Sequence, residues 1–321
     1  MAMPVQPLLI GVDVSKATLA LCLDSAQPVQ TIPNQPKAIR QWLASLSAGT
    51  ACLAVEATNT FHVNLVELAH RAGHTVYLVD GYRLNRYRDS IGGRAKTDAS
   101  DAQLLRRYLV REQEDLRPWA PPPKGYATVQ RLLHRRATLV QARVALQQSL
   151  ADIPGLKRSA TAMLRQINRL DALIQKQLFE TLRQLDWTSA WRRCQAIEGV
   201  GPLTAAALTV TFQRGAFRSS DAFIAFIGLD VRVRDSGKLR GRRKLTKKGD
   251  PELRRLLYLA AMQACRSQTW HAFYQRHLDR GLSKIQALVI LARKLARVAF
   301  ALLKNQSDYR PKTIDGPCAQ T

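Results

Sequence analysis

The hydrophobic pattern of the chain changes its period several times. Residues 8–13, "LLIGVD", are a continuous apolar run rich in β-formers, and "ATLALCL" at 17–23 alternates apolar with small or polar positions before the turn-like "DSAQP". These runs predict the first two strands of a hairpin-led sheet. "AIRQWLASL" then has helical spacing, and "ACLAVEAT" is a second apolar strand ending in Glu56 and Thr58. "FHVNLVELAHRAG" reads as a helix stopped by Gly73, followed by the strand "HTVYLVD" and a helix from Asp98 through "DASDAQLLRRYLVREQ". Strands first, then strand–helix alternation, predict an α/β layered domain with a mixed sheet.

The pattern breaks at "RPWAPPPKG", residues 117–125, where three successive prolines cannot continue a helix. Beyond it, "LLHRRATLVQARVALQQSL" and "MLRQINRLDALIQKQLFETLRQL" carry apolar residues at helical spacing on either side of "DIPGLKRS". Two long helices folding back as an antiparallel coiled-coil arm fit this pattern, and a plain helical subdomain fits it equally. The remainder, to about residue 304, is mainly α-helical with one basic interruption, and "NQSDYRPKTIDGPCAQT" reads as a disordered tail. The expected division is a first domain at 1–118, a linker and arm at 119–188, a helical domain at 189–304 and a tail at 305–321.

Charge narrows the partners. Of 321 residues, 49 are Lys or Arg and 24 are Asp or Glu, a formal charge of +25 that attracts polyanions, nucleic acid first among them. The longest apolar runs are broken by charge, as by Arg293, Lys294 and Arg297 in "LVILARKLARVAFALL", too short for a spanning helix. The N-terminus lacks a basic segment followed by a long apolar one, so no signal peptide and a cytoplasmic location, nucleoid-associated during action, are expected. Cys22, Cys52, Cys194, Cys265 and Cys318 form no C-x-x-C pair and read as small apolar residues. His62, His70 and His74 lie about one helical segment, His134, His271 and His277 are isolated, and no H-E-x-x-H pattern occurs. Tyr274 lacks the dispersed Arg-His-Arg set that a tyrosine recombinase needs.

Four acids stand out against this basic background. Asp13 and Glu56 each end an apolar strand, where an ionised carboxylate needs a partner or a metal. If the two strands are neighbours, both acids emerge at one edge. Asp98 and Asp101, in "KTDASDAQLL", share a helix face at i and i+3. Four carboxylates converging on one point suit hard divalent ions, Mg²⁺ above all and Mn²⁺ as a substitute, which in pairs serve phosphoryl transfer. Asp98 as an N-cap and Asp101 as a first-turn acid would explain that pair structurally. Asp13 and Glu56 could equally end their strands in water.

In the second half, "IEGVGPLTAAAL" has the glycine turn of a helix-hairpin-helix-like element. Gly199 and Gly201 would free the backbone, Pro202 would open the next helix, and its first N–H groups could hold a phosphate. A structural helix–turn–helix corner is the rival. Residues 228–257 follow, with eleven Lys or Arg between Arg232 and Arg255 against Asp235, Asp250 and Glu252, a net excess of eight. Arg232, Arg234, Lys238, Arg240, Arg242, Arg243, Lys244, Lys247 and Lys248 are the candidate phosphate contacts, with a solvated face as the plainer reading. Ser236 sits among them in "RDSGK", and from its residues alone reads as a turn serine.

The order "GVDVSK", "VEAT", "KTDASDA" resembles the RuvC-like, RNase H-type catalytic domain of insertion-sequence 110 family transposases, whose Asp-Glu-Asp-Asp set matches Asp13, Glu56, Asp98 and Asp101. Ala99 stands where that family usually has a bulky basic residue. The "GL" segment, the Ser-Gly pair and the "KKGD..LRRLL" helix resemble its second domain and imply that Ser236 is a nucleophile, with Asp235 where the family often has another serine. The resemblance runs from residue 8 to about 265. It implies a transposase that cuts and rejoins DNA through a covalent phosphoserine, a Mg²⁺ site on the four acids, and donor and target DNA as substrates. It also implies an element-encoded noncoding bridge RNA as guide and a homo-oligomer, dimer or tetramer. A metal-dependent junction nuclease, a site-specific invertase and a non-catalytic nucleic-acid-binding protein are the alternatives.

Overall fold

The computed structural model describes residues 7–47, 50–57, 60–92, 97–232 and 243–311 and, as backbone, 235–236 and 239–240. The chain divides into two compact units, Met1–Pro121 and Pro122–Thr321.

The first unit contains β1 (Leu8–Val14), β2 (Thr18–Cys22), β3 (Gln30–Pro33), α1 (Pro36–Ser45), β4 (Ala51–Glu56), α2 (Val63–Arg71), β5 (Thr75–Val79), α3 (Gly81–Ser90) and α4 (Asp98–Glu112). The strands form one mixed sheet in the order β3-β2-β1-β4-β5, antiparallel on the β1–β2–β3 side and parallel from β1 through β4 to β5. Alternation along the strands separates two apolar faces. Ile10, Val12, Leu53, Val55 and Val76 pack with Ile39, Leu43, Leu65 and Val66 of α1 and α2. Cys52, Ala54, Tyr77 and Val79 pack with Leu84 of α3 and Leu104, Leu105 and Leu109 of α4. The mixed sheet expected from the sequence is present; β3 and α3 are additions.

One close approach sets the position of α4. A Cβ on Gly11 would collide with the Ala102 carbonyl and the Arg106 amide, so the bare glycine lets the α4 backbone lie directly on β1. Arg106 completes the contact: its Nε donates to the Leu9 and Leu23 carbonyls at 3.1 and 3.0 Å, and its Nη1 to Ser25 Oγ at 2.8 Å. The proline-rich stretch begins on this unit, where Trp119 donates its N–H to the Val76 carbonyl and meets His70 edge-to-face.

The second unit contains α5 (Tyr126–Ser149), α6 (Lys157–Gln184), α7 (Thr188–Gln195), α8 (Pro202–Gln213), α9 (Ser220–Ile227), α10 (Pro251–Ala264), α11 (Gln268–Asp279) and α12 (Lys284–Asn305). Four two-residue strands lie between α9 and α10: β6 (Val231–Arg232), β7 (Asp235–Ser236), β8 (Leu239–Arg240) and β9 (Lys244–Leu245). Its core gathers around α8, buried from Thr204 to Thr211, and the apolar face of α12 through Leu291, Leu295, Ala299 and Phe300. Helices α5 and α6 are antiparallel, aligned by Arg136 with Asp171 at 2.9 Å and by Arg143 with Asn168 at 3.2 Å. Val129, Leu133, Leu178 and Leu182 root the pair in the core, while no residue from 138 to 177 is buried.

The expected disordered tail is corrected over its first residues. Tyr309 packs against the helical core and Asp308 lies 4.0 Å from Arg193; residues 312–321, with Cys318, lie outside the described residues. Among the described residues no helix is long and apolar enough to cross a membrane.

Gly11→Ala is expected to cost about 1–3 kcal/mol, because a methyl group must separate two backbones. Hydrogen exchange of the full chain should then accelerate about tenfold or more in β1 and α4 and stay unchanged in α8 and α12. Equal protection in β1 and α4 would show that the approach is not tight.

Candidate functional site

The parallel register brings the first two acids together. Val12 of β1 pairs with Val55 of β4, so Asp13 and Glu56 stand one step on, at the carboxyl-terminal edge of adjacent strands. By the two-residue alternation, Asp13 shares the face of Gly11, and Glu56 that of Ala54, which is the face α4 covers. The Glu56 carboxylate packs against Gly81, where a Cβ would collide with it.

The first turn of α4 supplies the other two. Thr97 is its N-cap: the hydroxyl accepts from the Ser100 N–H at 3.2 Å, and Ser100 Oγ accepts from the Thr97 N–H at 2.8 Å in a capping box. This corrects the reading of Asp98 as an N-cap, since Thr97 fills that place and Asp98 is the first helical residue. Asp98 is exposed, whereas Asp101 is buried at 7% exposure. Arg88 of α3 donates from Nη2 to Asp101 Oδ1 at 2.5 Å and from Nη1 to Asn85 Oδ1 at 2.8 Å. Arg88 was not a candidate from the sequence, because nothing local marks an arginine that pairs across thirteen residues with another helix.

The electrostatics of Asp13 reflect the other three acids. The Asp13 carboxyl is pushed up to about 6, first by burial and then by the charges of Asp101, Asp98 and Glu56, against a lowering hydrogen bond from the Val14 N–H. Three like charges acting on a half-buried carboxylate make a place that a cation would stabilise. The donors are all hard carboxylate oxygens, the chemistry that Mg²⁺ takes. Among the described residues, however, no three His, Cys, Asp or Glu side chains are close enough to hold one ion together. The residues thus fit a divalent ion in kind and in charge but are not gathered around one point, Asp101 being turned to Arg88.

In the second unit, the described basic residues between α9 and α10 lie on or beside short paired strands. β6 pairs antiparallel with β9, setting Arg232 opposite Lys244, and β7 pairs with β8, setting Asp235 opposite Arg240 and Ser236 opposite Leu239. The sequence reading had no strands here. The ribbon's two ends are held together: Arg254 Nη1 donates to the Ile227 and Gly249 carbonyls at 3.1 and 2.7 Å, and the Lys247 N–H donates to Gly228 O at 3.1 Å. Gly228 has the left-handed φ of 76° and no room for a Cβ beside Lys248 and Gly249. Arg232, Arg243, Lys244, Lys247 and Lys248 are exposed. Arg234, Lys238 and Arg242 lie outside the described residues, and Ser236 and Arg240 are described as backbone.

Asp250, which follows the ribbon, N-caps α10 and is 3.0 Å from His134 Nε2 of α5. Burial pushes the Asp250 carboxyl up, but the His134 bond and the Glu252 and Leu253 N–H groups outweigh it and lower it overall. The sequence had left His134 isolated, because its partner lies 116 residues away. At the other candidate phosphate contact, Gly199 has φ 83° and packs against Ala260 and Ala264. Gly201 is the N-cap of α8 with φ −76°, so the expectation that both glycines free the backbone holds for Gly199 alone.

Two family models match the chain: a transposase model of the IS110 group with the DEDD set over residues 10–153, and the transposase IS116/IS110/IS902 family over residues 192–275. The chain belongs to this family of transposases, enzymes that cleave and rejoin DNA. Among similar proteins, the pilin gene-inverting protein of Moraxella bovis is 26% identical over 94% of this chain and 97% of its own length. A probable family 20 transposase of Pseudomonas aeruginosa is 28% identical over 81% of this chain and 86% of its own length. The 42 kDa protein of insertion element IS900 from Mycobacterium paratuberculosis is 24% identical over 96% and 98%.

The raised Asp13 carboxyl gives a pH signature. It ionises near 3.8 when unfolded and about 6 when folded, so between these values the unfolded state binds fewer protons and stability falls as pH rises. Asp13→Asn should therefore stabilise the metal-free chain at pH 8 by about 1–2 kcal/mol, discounted for solvent at this half-exposed edge, and give no gain at pH 3.5. Denaturant unfolding in EDTA at the two pH values measures this; an equal effect at both would contradict it.

Proposed function

We propose that this transposase cuts and rejoins DNA through a covalent phosphoserine at Ser236, with a divalent metal, Mg²⁺, held by Asp13, Glu56, Asp98 and Asp101. What supports this reading is the β1–β4 register, which sets Asp13 beside Glu56 at one sheet edge, with Asp98 and Asp101 on α4 near enough that their charges also raise the Asp13 carboxyl. When bound, the metal supplies charge stabilisation for a phosphate oxygen and activation of a hydroxyl. Asp13 and Glu56, fixed by their strands, hold the site at the sheet edge, and Asp98 and Asp101 close it from α4.

At Ser236 the chemistry is a transesterification. The Oγ forms a bond to phosphorus as its proton leaves, the bond from phosphorus to the leaving sugar oxygen breaks, and that oxygen takes a proton. Attack by the hydroxyl of the strand to be joined reverses the step and restores the serine. The exposed Arg232, Arg243, Lys244, Lys247 and Lys248, with Arg234, Lys238, Arg240 and Arg242, supply the positive field for the phosphate backbone, and the start of α8 at Gly201 a further phosphate contact near Gly199. The α5–α6 pair serves as an arm for homo-oligomer assembly, and an element-encoded noncoding bridge RNA guides the choice of donor and target DNA. The Moraxella relative favours a second outcome of the same chemistry, site-specific inversion.

Ser236→Ala should leave no covalent protein–DNA adduct in a denaturing gel, while Asp13→Asn should lower cleavage by about a hundredfold or more with DNA binding retained. An adduct that persists in Ser236→Ala would replace the serine mechanism with attack by water or another group. Full cleavage by Asp13→Asn would leave a role in binding alone for the acids. Neutralising Lys244 and Lys247 together should reduce the salt slope of DNA binding by about 2.

A further inference from the structure

Arg88 sets a guanidinium directly on the acid cluster. Its pair with Asp101 is nearly enclosed, with the two side chains 12% and 10% exposed, and Asn85 one turn back on α3 holds the same guanidinium from the other side. With Oδ1 given to Arg88, Asp101 offers an incoming cation at most its second oxygen. Arg88 also lines a groove of about 550 Å³ whose other walls include Arg107 and Arg111, on the exposed face of α4, with Ser100 and Ile91 nearby. The arginine thus stands between an anionic cluster on one side and a basic groove on the other.

We propose that Arg88 is a positioning residue that serves as internal counterion of the acid cluster, neutralising Asp101 until a divalent cation takes that charge and then turning to the groove it shares with Arg107 and Arg111, where the phosphodiester backbone of bound nucleic acid meets it. The inference rests on the metal reading of the four acids. Guanidinium and metal compete for the charge and orientation of one carboxylate, so the hold of Arg88 on Asp101 lowers metal affinity. Removing the guanidinium should therefore act in opposite directions on the two states, loosening the metal-free fold while tightening metal binding. A salt bridge that merely joined α3 to α4 would destabilise both alike.

The test uses the full chain as wild type, Arg88→Gln, Arg88→Lys and Asp13→Asn, with Mn²⁺ calorimetry and thermal unfolding in EDTA. Arg88→Gln should melt below wild type in EDTA and bind Mn²⁺ about threefold or more tightly, with Arg88→Lys close to wild type. Equal or weaker Mn²⁺ binding by Arg88→Gln overturns the counterion role while leaving the metal site in place. A wild-type chain without Mn²⁺ binding that Asp13→Asn removes overturns the metal reading, and the counterion role with it. If Arg88→Gln does not fold, ¹⁵N NMR of the unaltered chain decides: the Arg88 guanidinium signals, assigned by their loss in Arg88→Lys, should be resolved in EDTA and averaged by rotation once Mg²⁺ binds. Signals that stay resolved in saturating Mg²⁺ overturn the proposal.

Discussion

The geometry of the acid cluster depends on how closely one helix can approach one strand. At Gly11 no side-chain atom separates β1 from the backbone of α4, and Arg106 fixes the height of the helix by bonding carbonyls of the β1–β2 hairpin. One turn before Arg106 lies Ala102, and before that the first turn with Asp98 and Asp101. Because α4 cannot slide along β1 without meeting Gly11's neighbours, both acids are held at the edge where Asp13 and Glu56 end their strands. A contact between backbones is insensitive to side-chain rotamers, which makes it a rigid support for chemistry.

Charge is distributed with the same economy. A chain with a formal charge of +25 places four carboxylates at one edge, where their mutual repulsion is relieved in the metal-free molecule by two devices: Asp13 retains its proton to about pH 6, and Arg88 covers Asp101. On the proposed metal reading both devices would yield to a divalent cation, one by releasing a proton and the other by rotating. The basic ribbon follows the opposite logic. Its described side chains Arg232, Arg243, Lys244, Lys247 and Lys248 stand in solvent, where self-repulsion is screened, and its two ends are tied together through Arg254, Gly228 and Gly249.

Much of the first unit was legible because its central strands are apolar runs bounded by turn residues, and its α1, α2 and α4 have one apolar face each. β3 was missed because "QTIP" is a half-polar edge strand, and α3 because Leu84 is its only buried residue among the described positions. Asp13 and Glu56 could be grouped from their places at strand ends, and Asp98 with Asp101 from their spacing, but other features could not. Thr97 caps α4 through Ser100 in place of the usual Glu or Gln, so the capping box was hidden and Asp98 looked like the cap. Arg88 and His134 owe their roles to partners distant in sequence, which periodicity cannot report. The ribbon strands are two residues each, below the length at which alternation is visible.

The central claim is that the four acids form one divalent-metal site on the sheet edge. Anomalous diffraction from crystals of the full chain grown with Mn²⁺ tests it most directly. The account predicts a manganese peak bounded by Asp13, Glu56 and Asp101, with Asp98 beside it and Arg88 withdrawn from Asp101. Diffraction from such crystals with no manganese at that edge, or with Arg88 still on Asp101 and the metal elsewhere, would contradict it.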